Sequence, residues 1–254
     1  MKKASSKFRD LVEIISILRK KCPWDRKQTH QSIKDNLIEE AYEAVDAIDR
    51  NDFEELKNEL GDLLLHVLFH SEMASETDHF TIEDVVFAIQ EKLIRRHPHV
   101  FGDTVADDEH QVAENWERIK LEEGKDSVLD GIPAHLPALI KAQRMQEKAA
   151  NVGFDWPESD QVIGKVREEL QELRDALENR DHDESRKEFG DLLFSLVNLG
   201  RFYGLNAEDC LRITNRKFDR RFRFIEKSLE KKGIDIREAT LEEMDLHWEE
   251  AKLE

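Results

Sequence analysis

The sequence predicts an all-α protein made of two copies of one helical unit. Apolar residues recur at the three- and four-residue spacing of amphipathic helices along most of the 254 residues. The chain contains 10 glycines and 5 prolines, a content that suits long helices better than a turn-rich β fold. Its length allows two domains of about 100–130 residues each.

In the first half, apolar spacing predicts four helices, and a more polar fifth helix carries Trp116. The first helix should end before Pro23 and the fourth near Pro98, because proline disrupts a helix interior. The predicted stretches are Phe8–Leu18, Ile33–Ile48, Leu56–Leu68, Val85–Ile94 and His110–Glu123.

The apolar pattern weakens before the second half, where two glycines and two prolines lie between Glu122 and Pro137. This indicates an N-terminal domain at 1–122, a linker at 123–137 and a C-terminal domain at 138–254. After the linker, the pattern predicts helices over Val162–Leu177, Phe189–Leu199 and Leu211–Leu229 and around Trp248.

Sequence matches between the halves indicate a tandem duplication. The pattern Glu-Glu-x-x-Glu and the pattern Glu-x-Gly-Asp-Leu-Leu each occur twice, and the second copy follows 129 residues after the first. Two further matches follow in the same order. The four pairs are Glu39–Glu43 with Glu168–Glu172, Glu59–Leu64 with Glu188–Leu193, Lys92–Arg96 with Lys217–Arg221, and Trp116–Lys120 with Trp248–Lys252.

Both copies place carboxylates beside an apolar helix stripe. Residues three or four apart share a helix face, so the acids of one copy can converge from two neighbouring helices. Ionised acids are costly to keep beside a core, and a hard cation such as Mg²⁺ or Mn²⁺ would offset that cost. The candidate ligands, which are also the candidate catalytic residues, are Glu168, Glu169, Glu172, Glu188 and Asp191, with Glu39, Glu40, Glu43, Glu59 and Asp62 as a second set.

Three alternative interpretations of the acidic residues and the histidines are weaker. A single acidic motif would be an ordinary solvated helix face, but two paired motifs at one offset favour a site. A di-iron centre would need Glu-x-x-His, which occurs at Glu76 and His79 without a counterpart in the second half. A zinc site at His97, His99 and His110 also lacks a counterpart.

The charge and the cysteines exclude other classes of protein. The formal net charge is -18, which disfavours binding to nucleic acid or to an anionic membrane. Cys22 and Cys210 are far apart and form no metal-binding pattern, which indicates a reducing, cytoplasmic environment. The N-terminal segment is amphipathic, unlike a signal peptide, and no apolar stretch has the length of a membrane span.

These repeated motifs resemble the MazG family of the all-α nucleoside triphosphate pyrophosphohydrolases. Three further segments resemble family motifs: Cys22–Asp25, Arg95–Phe101 and Asn151–Trp156. The resemblance implies a helical fold, dimerisation, Mg²⁺ dependence and hydrolysis of NTPs and dNTPs to NMP and pyrophosphate. It also implies that the segments Lys165–Glu169 and Ser185–Glu188 flank the nucleotide, and a role in nucleotide-pool housecleaning or the stress response.

Cationic and aromatic residues complete the predicted nucleotide site. Lys217 and Arg221 share a helix face and can reach one phosphate chain, while Trp248 can stack on a base with Lys252 beside it. The second copy carries four cations near its acids: Lys165, Arg167, Arg186 and Lys187. The equivalent first-copy residues are Asn36, Ile38, Lys57 and Asn58, so the second copy is the better candidate for triphosphate.

The predicted reaction is metal-assisted attack of water between the α- and β-phosphates, with broad base specificity. A dUTPase-like relative would accept one nucleotide only. The alternative from another class is a non-enzymatic acidic helical dimer that binds nucleotide or a protein partner. A small helical unit with a broad apolar stripe buries little surface alone, which favours pairing of two such units within the chain, between chains or both. A homodimer is the expected assembly.

Overall fold

The computed structural model describes residues 2–102, 104, 108, 111–112, 115, 119 and 126–253. These described residues form helices and turns with no strand, which confirms the all-α prediction. The chain divides into two compact units, Met1–Val105 and Ala106–Glu254.

The first unit consists of five helices and one short turn: α1 Lys2–Lys21, a 3₁₀ turn at Asp25–Lys27, α2 Lys34–Arg50, α3 Phe53–Ser75, α4 Ile82–Arg96 and α5 Pro98–Phe101. Helix α2 packs along α3, and α1 and α4 each contact α3. Helix α4 ends just before Pro98, as predicted, and the proline itself starts the short helix α5.

A small apolar core holds α1 against α3. Ile15 of α1 and Phe69 of α3 are almost fully buried, together with Ile33 just before α2. Ala44 and Ala47 are buried on α2, and their small side chains suit close packing of helices. The core of the first unit is therefore small.

The second unit contains the helices α6 Ala138–Ala150, α7 Ser159–Glu178, α8 His182–Phe202, α9 Ala207–Lys231 and α10 Leu241–Glu250. Helices α7 and α8 are the equivalents of α2 and α3, and they pack along each other. Helix α6 contacts both α8 and α9, and α10 packs on α9.

Helix α6 is absent from the helices predicted by apolar spacing, and the prediction missed it. Its large apolar residues are Leu139, Ile140 and Met145, and its other apolar residues are alanines. The available indication was compositional: strong helix formers occupy most of the positions between Pro137 and Gly153. In the structure, the buried ammonium of Lys148 donates to the carbonyl of Val128 at 2.8 Å, which ties the preceding turn to α6.

Each acidic helix is connected to the next one by the same turn in both units. Asn51 and Arg180, 129 residues apart, have left-handed backbone with φ of 55° and 56°. The next residue in each case caps the following helix: Asp52 accepts from the backbone N–H of Glu55, and Asp181 from that of Glu184. The turn sets how α2 lies against α3 and how α7 lies against α8.

Some sequence predictions fall outside the described residues. These include Trp116, His110 and most of the helix predicted over 110–123, of which residues 111, 112, 115 and 119 are described and helical. The predicted linker at 123–137 is described from residue 126 onward, where it consists of turns and bends. Among the described helices, none is long and apolar enough to cross a membrane.

Candidate metal and nucleotide site

Three carboxylates converge between α7 and α8 in the second unit. Glu169 and Glu172 lie one turn apart on α7, and Glu188 faces them from α8. One carboxylate oxygen of each lies within 4.8 Å of the others. Glu169 is buried, Glu188 is half-buried and Glu172 is exposed, so the cluster forms a half-open acidic site.

The first unit repeats this cluster at the equivalent positions. Glu40 and Glu43 of α2 and Glu59 of α3 also have carboxylate oxygens within 4.8 Å of one another. Here Glu59 is buried, Glu40 is half-buried and Glu43 is exposed. The duplication therefore preserves the geometry of the acids as well as their sequence spacing.

In the first cluster, burial and the closeness of the acids raise the carboxyl pKa values. Burial, followed by the charges of Glu43 and Glu55, raises the pKa of Glu59 to about 7. Burial, together with the charges of Asp62 and Glu43, also raises the pKa of Glu40, and the charge of His66 opposes this rise. Glu59 therefore keeps its proton to a higher pH than an ordinary carboxyl group does.

The second cluster includes a lysine. The Nζ of Lys165 lies 2.8 Å from a carboxylate oxygen of Glu168 and 2.7 Å from one of Glu169. Hydrogen bonds to these two acids raise the pKa of Lys165, so the ammonium is fixed in its charged form. Burial and the charges of Glu172 and Glu184 still raise the pKa of Glu188.

The other predicted acids lie beside the two clusters. Asp62 and Asp191 are exposed, yet each is close enough for its charge to raise the pKa of a cluster member, Glu40 and Glu188 respectively. Glu39 is exposed on α2, and Glu168 is bound to Lys165. Three of the five predicted acids of each unit thus form the close cluster.

The donor set fits a hard divalent cation. Each close cluster offers carboxylate oxygen and no thiolate or imidazole ligand, the combination that suits Mg²⁺ or Mn²⁺. The carboxyl pKa values of Glu59 and Glu188 are raised because like charges are held together in a partly buried place. A bound cation would remove that repulsion.

An open cavity of about 520 Å³ adjoins the second cluster. Lys165, Glu169 and Asp191 form part of its wall, so the acids and the cavity are continuous. Its remaining lining is mostly apolar, with three amide or hydroxyl side chains and one pair of opposite charges: Leu129, Met145, Gln146, Ala149, Gly153, Phe154, Asp155, Trp156, Val162, Phe194, Ser195, Asn198 and Arg201. Gln146, Ser195 and Asn198 line the cavity although no sequence motif predicts them.

An ion pair holds the wall of this cavity. Arg201 of α8 donates two hydrogen bonds to the carboxylate of Asp155, one of them at 3.0 Å. Burial would raise the pKa of Asp155, but these bonds and the N–H of Trp156 hold it below its usual value. The pair fixes the segment that carries Phe154 and Trp156 against α8.

The structure separates some predicted nucleotide ligands from this cavity. The guanidinium of Arg221 lies 5.4 Å from the ring centre of Trp248, and Phe218 contacts the same ring. Lys252 pairs with Glu249 beside them, and Lys217 is exposed on α9. None of these predicted ligands lines the cavity, so their role in binding stays a prediction.

The predicted ligands at the start of α8 have local partners. The hydroxyl of Ser185 donates to the carbonyl of Asp181 at 2.6 Å, and Lys187 pairs with Glu184 at 2.7 Å. Arg186 is exposed, as is Arg167 on α7. Of the four cations that distinguish the second copy, Lys165 is the one in contact with the clustered acids.

The alternative metal sites receive no support from the side chains described. Glu76 accepts two hydrogen bonds from Arg19, at 2.8 and 2.6 Å, so this glutamate is already paired. The ring of His97 contacts the carbonyl of Leu93 at 2.7 Å, an ordinary contact at a helix end. His110 lies outside the described residues.

Comparison with known proteins agrees with this arrangement. The MazG nucleotide pyrophosphohydrolase domain matches residues 28–101 and again residues 158–224. The first match contains α2 and α3, and the second contains α7 and α8, so both carboxylate clusters fall inside the matched regions. The chain belongs to the MazG family. The resemblance inferred from the sequence is confirmed, together with the tandem duplication.

Several relatives match over nearly the whole chain. The nucleoside triphosphate pyrophosphohydrolase/pyrophosphatase MazG of Thermotoga maritima is 48% identical over 257 residues, which cover 99% of this chain and 98% of that protein. The nucleoside triphosphate pyrophosphohydrolase of Escherichia coli K12 is 44% identical over 237 residues, or 91% and 90% of the two chains. A Bacillus subtilis protein named YabN is 48% identical over 91% of this MazG chain, which spans 48% of the longer relative.

Proposed function

We propose that this MazG protein hydrolyses nucleoside triphosphates between the α- and β-phosphates, releasing a nucleoside monophosphate and pyrophosphate. The observation that carries the proposal is the acidic cluster of α7 and α8 opening directly into a cavity large enough for a small molecule. Two relatives that match this chain over almost their full length are named as nucleoside triphosphate pyrophosphohydrolases.

The acids would hold Mg²⁺, with Mn²⁺ as a substitute. Glu169, Glu172 and Glu188 supply the close set of oxygens, with Asp191 beside them at the cavity. The bound cation would supply charge neutralisation of the triphosphate and a more acidic water. A carboxylate of this set that is free of the metal would accept the proton of the attacking water.

Lys165 would change partners when substrate binds. In the structure its ammonium pairs with Glu168 and Glu169. A divalent cation at these acids would take over that role and leave the lysine available for a phosphate oxygen at the cavity wall. This exchange would couple metal binding to binding of the triphosphate.

The second unit is the proposed catalytic unit, and the first is a weaker site or a structural and regulatory unit. The second unit combines the acids, the lysine and the adjoining cavity. A cavity of about 150 Å³ in the first unit has Val12, Ile15 and Ser71 in its wall and is not lined by Glu40, Glu43 or Glu59.

The remaining proposals concern the setting of the reaction. Broad use of NTPs and dNTPs, including ATP, fits a cavity with a mainly apolar lining, which favours any flat ring. Many large apolar side chains are exposed on each unit, for example Phe87 and Phe218, which supports a homodimer. We place the protein in the cytoplasm, in control of the nucleotide pool or in a stress response.

The test is pyrophosphate release from the eight common NTPs and dNTPs, with products identified by chromatography. With Mg²⁺ we expect NMP and pyrophosphate from most of them, and complete loss with excess EDTA that added Mg²⁺ reverses. Turnover of a single nucleotide would indicate a narrow, dUTPase-like enzyme. Binding of nucleotide by folded, Mg²⁺-loaded protein without any turnover would favour the non-enzymatic binding module and overturn the proposal.

A further inference from the structure

Two histidine side chains of the first unit lie in direct contact. His30 lies in the segment just before α2, and His70 lies on α3. Their Nδ1 atoms are 2.7 Å apart, and the centres of the two rings are 5.0 Å apart. The equivalent residues of the second unit are Ser159 and Leu199, so the duplication does not account for this pair.

The segment that carries His30 has a defined position. The carbonyl of Gln28 accepts a hydrogen bond from Arg19 at 3.1 Å. The backbone N–H of Thr29 donates to the hydroxyl of Ser32 at 2.9 Å, and this hydroxyl donates to the side chain of Gln28 at 2.7 Å. These bonds hold the chain on both sides of His30, and therefore fix where its ring meets α3.

A small cation can reach the two facing nitrogens from solvent. His30 is exposed, whereas His70 is half-buried. The Nε2 of His70 is buried, so a ligand cannot enter on that side of the ring. The Nδ1 of His70 instead faces the exposed ring of His30, and a rotation of that ring opens the space between the two Nδ1 atoms.

The spacing of the two rings suits a zinc ion. One Nδ1 donates the single proton between the two nitrogens, and the other accepts it. Zn²⁺ can replace that proton, because neutral imidazole is a common zinc ligand. With Zn–N bonds of about 2.0–2.1 Å, two imidazoles on one tetrahedral ion have ring centres about 5 Å apart. The observed 5.0 Å agrees with this value, so small rotations of the rings make room for the ion.

A third imidazole lies beside the pair. His66 is one helical turn before His70 on α3, and their ring centres are 6.2 Å apart. Histidines at this spacing share one helix face, as in helical motifs that bind zinc. Burial, followed by the charges of His30 and His66, lowers the pKa of His70. This favours the neutral imidazole, which is the form that binds a metal ion.

We propose that His30 and His70 bind one Zn²⁺ ion through their Nδ1 atoms, with water completing the coordination. The ligands are nitrogen atoms outside the two acidic clusters, so the site is independent of the proposed reaction. Imidazole suits zinc, whereas Mg²⁺ prefers oxygen ligands, so the two kinds of site select different ions. The bound zinc would join the segment before α2 to α3 and stabilise the first unit.

The test measures zinc bound to the metal-free full chain by equilibrium dialysis in excess Mg²⁺. We expect the wild type to bind one zinc ion more than His30→Gln or His70→Gln. Each variant should weaken this site at least about 100-fold, the upper end of the effect of removing an outer partner of a metal ligand. Glutamine can still form a hydrogen bond with the remaining histidine, so these variants separate metal binding from the hydrogen bond.

His79→Gln is the matched control, because His79 is an exposed histidine of the same unit. This variant should bind as much zinc as the wild type. Visible absorption of bound Co²⁺ gives a second measurement, and circular dichroism confirms that each variant is folded. Equal zinc binding by the wild type, His30→Gln and His70→Gln would overturn the proposal. A wild type that binds zinc only when Mg²⁺ is absent would also overturn it.

Discussion

The two units carry the same acids at the same spacing, yet the groups around those acids differ. In the second unit Lys165 pairs with Glu169 and lines the cavity, whereas the equivalent first-unit position is Asn36. Burial and neighbouring acids raise the pKa of Glu59 in the first unit to about 7, and they also raise the pKa of its second-unit equivalent, Glu188. A duplicated acidic motif does not by itself give two equal sites.

The wall beside the acids differs as well. Ser195 and Asn198 line the cavity of the second unit. The residues 129 positions earlier are His66 and Phe69, which are larger and buried in the first unit. Larger side chains at these two positions leave less room beside the acids, so the second unit is better suited to a nucleotide.

The largest expected effect comes from removing one acid in each unit. Glu172→Gln should lower pyrophosphate release at least about 100-fold, because it removes a proposed metal ligand next to the cavity. Glu43→Gln, the equivalent change in the first unit, should lower it by less than about twofold. Both variants are assayed with ATP at saturating Mg²⁺, with circular dichroism as a check of folding. A large loss in Glu43→Gln with normal activity in Glu172→Gln would reverse the assignment of the active unit.

A smaller effect is expected on the pH dependence of stability. The pKa of Glu59 is raised in the folded protein, so the folded state binds this proton more tightly than the unfolded state does. The contribution of Glu59 to the free energy of unfolding should therefore fall as the pH rises from 4.5, the ordinary pKa of a glutamate carboxyl group, to about 7. Urea denaturation in EDTA at several pH values should show a weaker pH dependence in Glu59→Gln than in the wild type.

The charge difference between the units can be tested directly at Asn36. Asn36→Lys places an ammonium where Lys165 stands in the second unit, and should lower the pKa of Glu40, the equivalent of the Glu169 that pairs with Lys165. The carboxyl pKa is measured by carbon NMR, with Asn36→Gln as the uncharged control. An unchanged pKa of Glu40 in Asn36→Lys would show that a lysine at this position does not neutralise the first cluster.

The smallest expected effect concerns the turn that both units share. Arg180 and Asn51 both have left-handed backbone, which asparagine tolerates better than arginine. Arg180→Asn should stabilise the protein by about 0.5–1 kcal/mol, and Asn51→Arg should destabilise it by a similar amount. Urea midpoints measure both changes, and a destabilised Arg180→Asn would mean that the arginine side chain has a stabilising role of its own.

Much of the fold followed from the spacing of apolar and acidic residues. The helices predicted over Ile33–Ile48, Leu56–Leu68 and Val162–Leu177 correspond to α2, α3 and α7, because an amphipathic stripe must be buried in any helical packing. More than half of the apolar residues of α6 are alanines, and the prediction from larger apolar side chains missed it. Helix propensity was the better indication there.

The sequence by itself determined the helical class, the duplication and the two acids-bearing helices of each unit, since these depend on periodicity and on local spacing. Only the tertiary structure decided which groups surround the acids. It brought Gln146 from α6 to the wall that also contains Asp191, and left Trp248 beside Arg221 instead. Such contacts depend on how distant helices pack, and a sequence pattern within one helix carries no record of its neighbours.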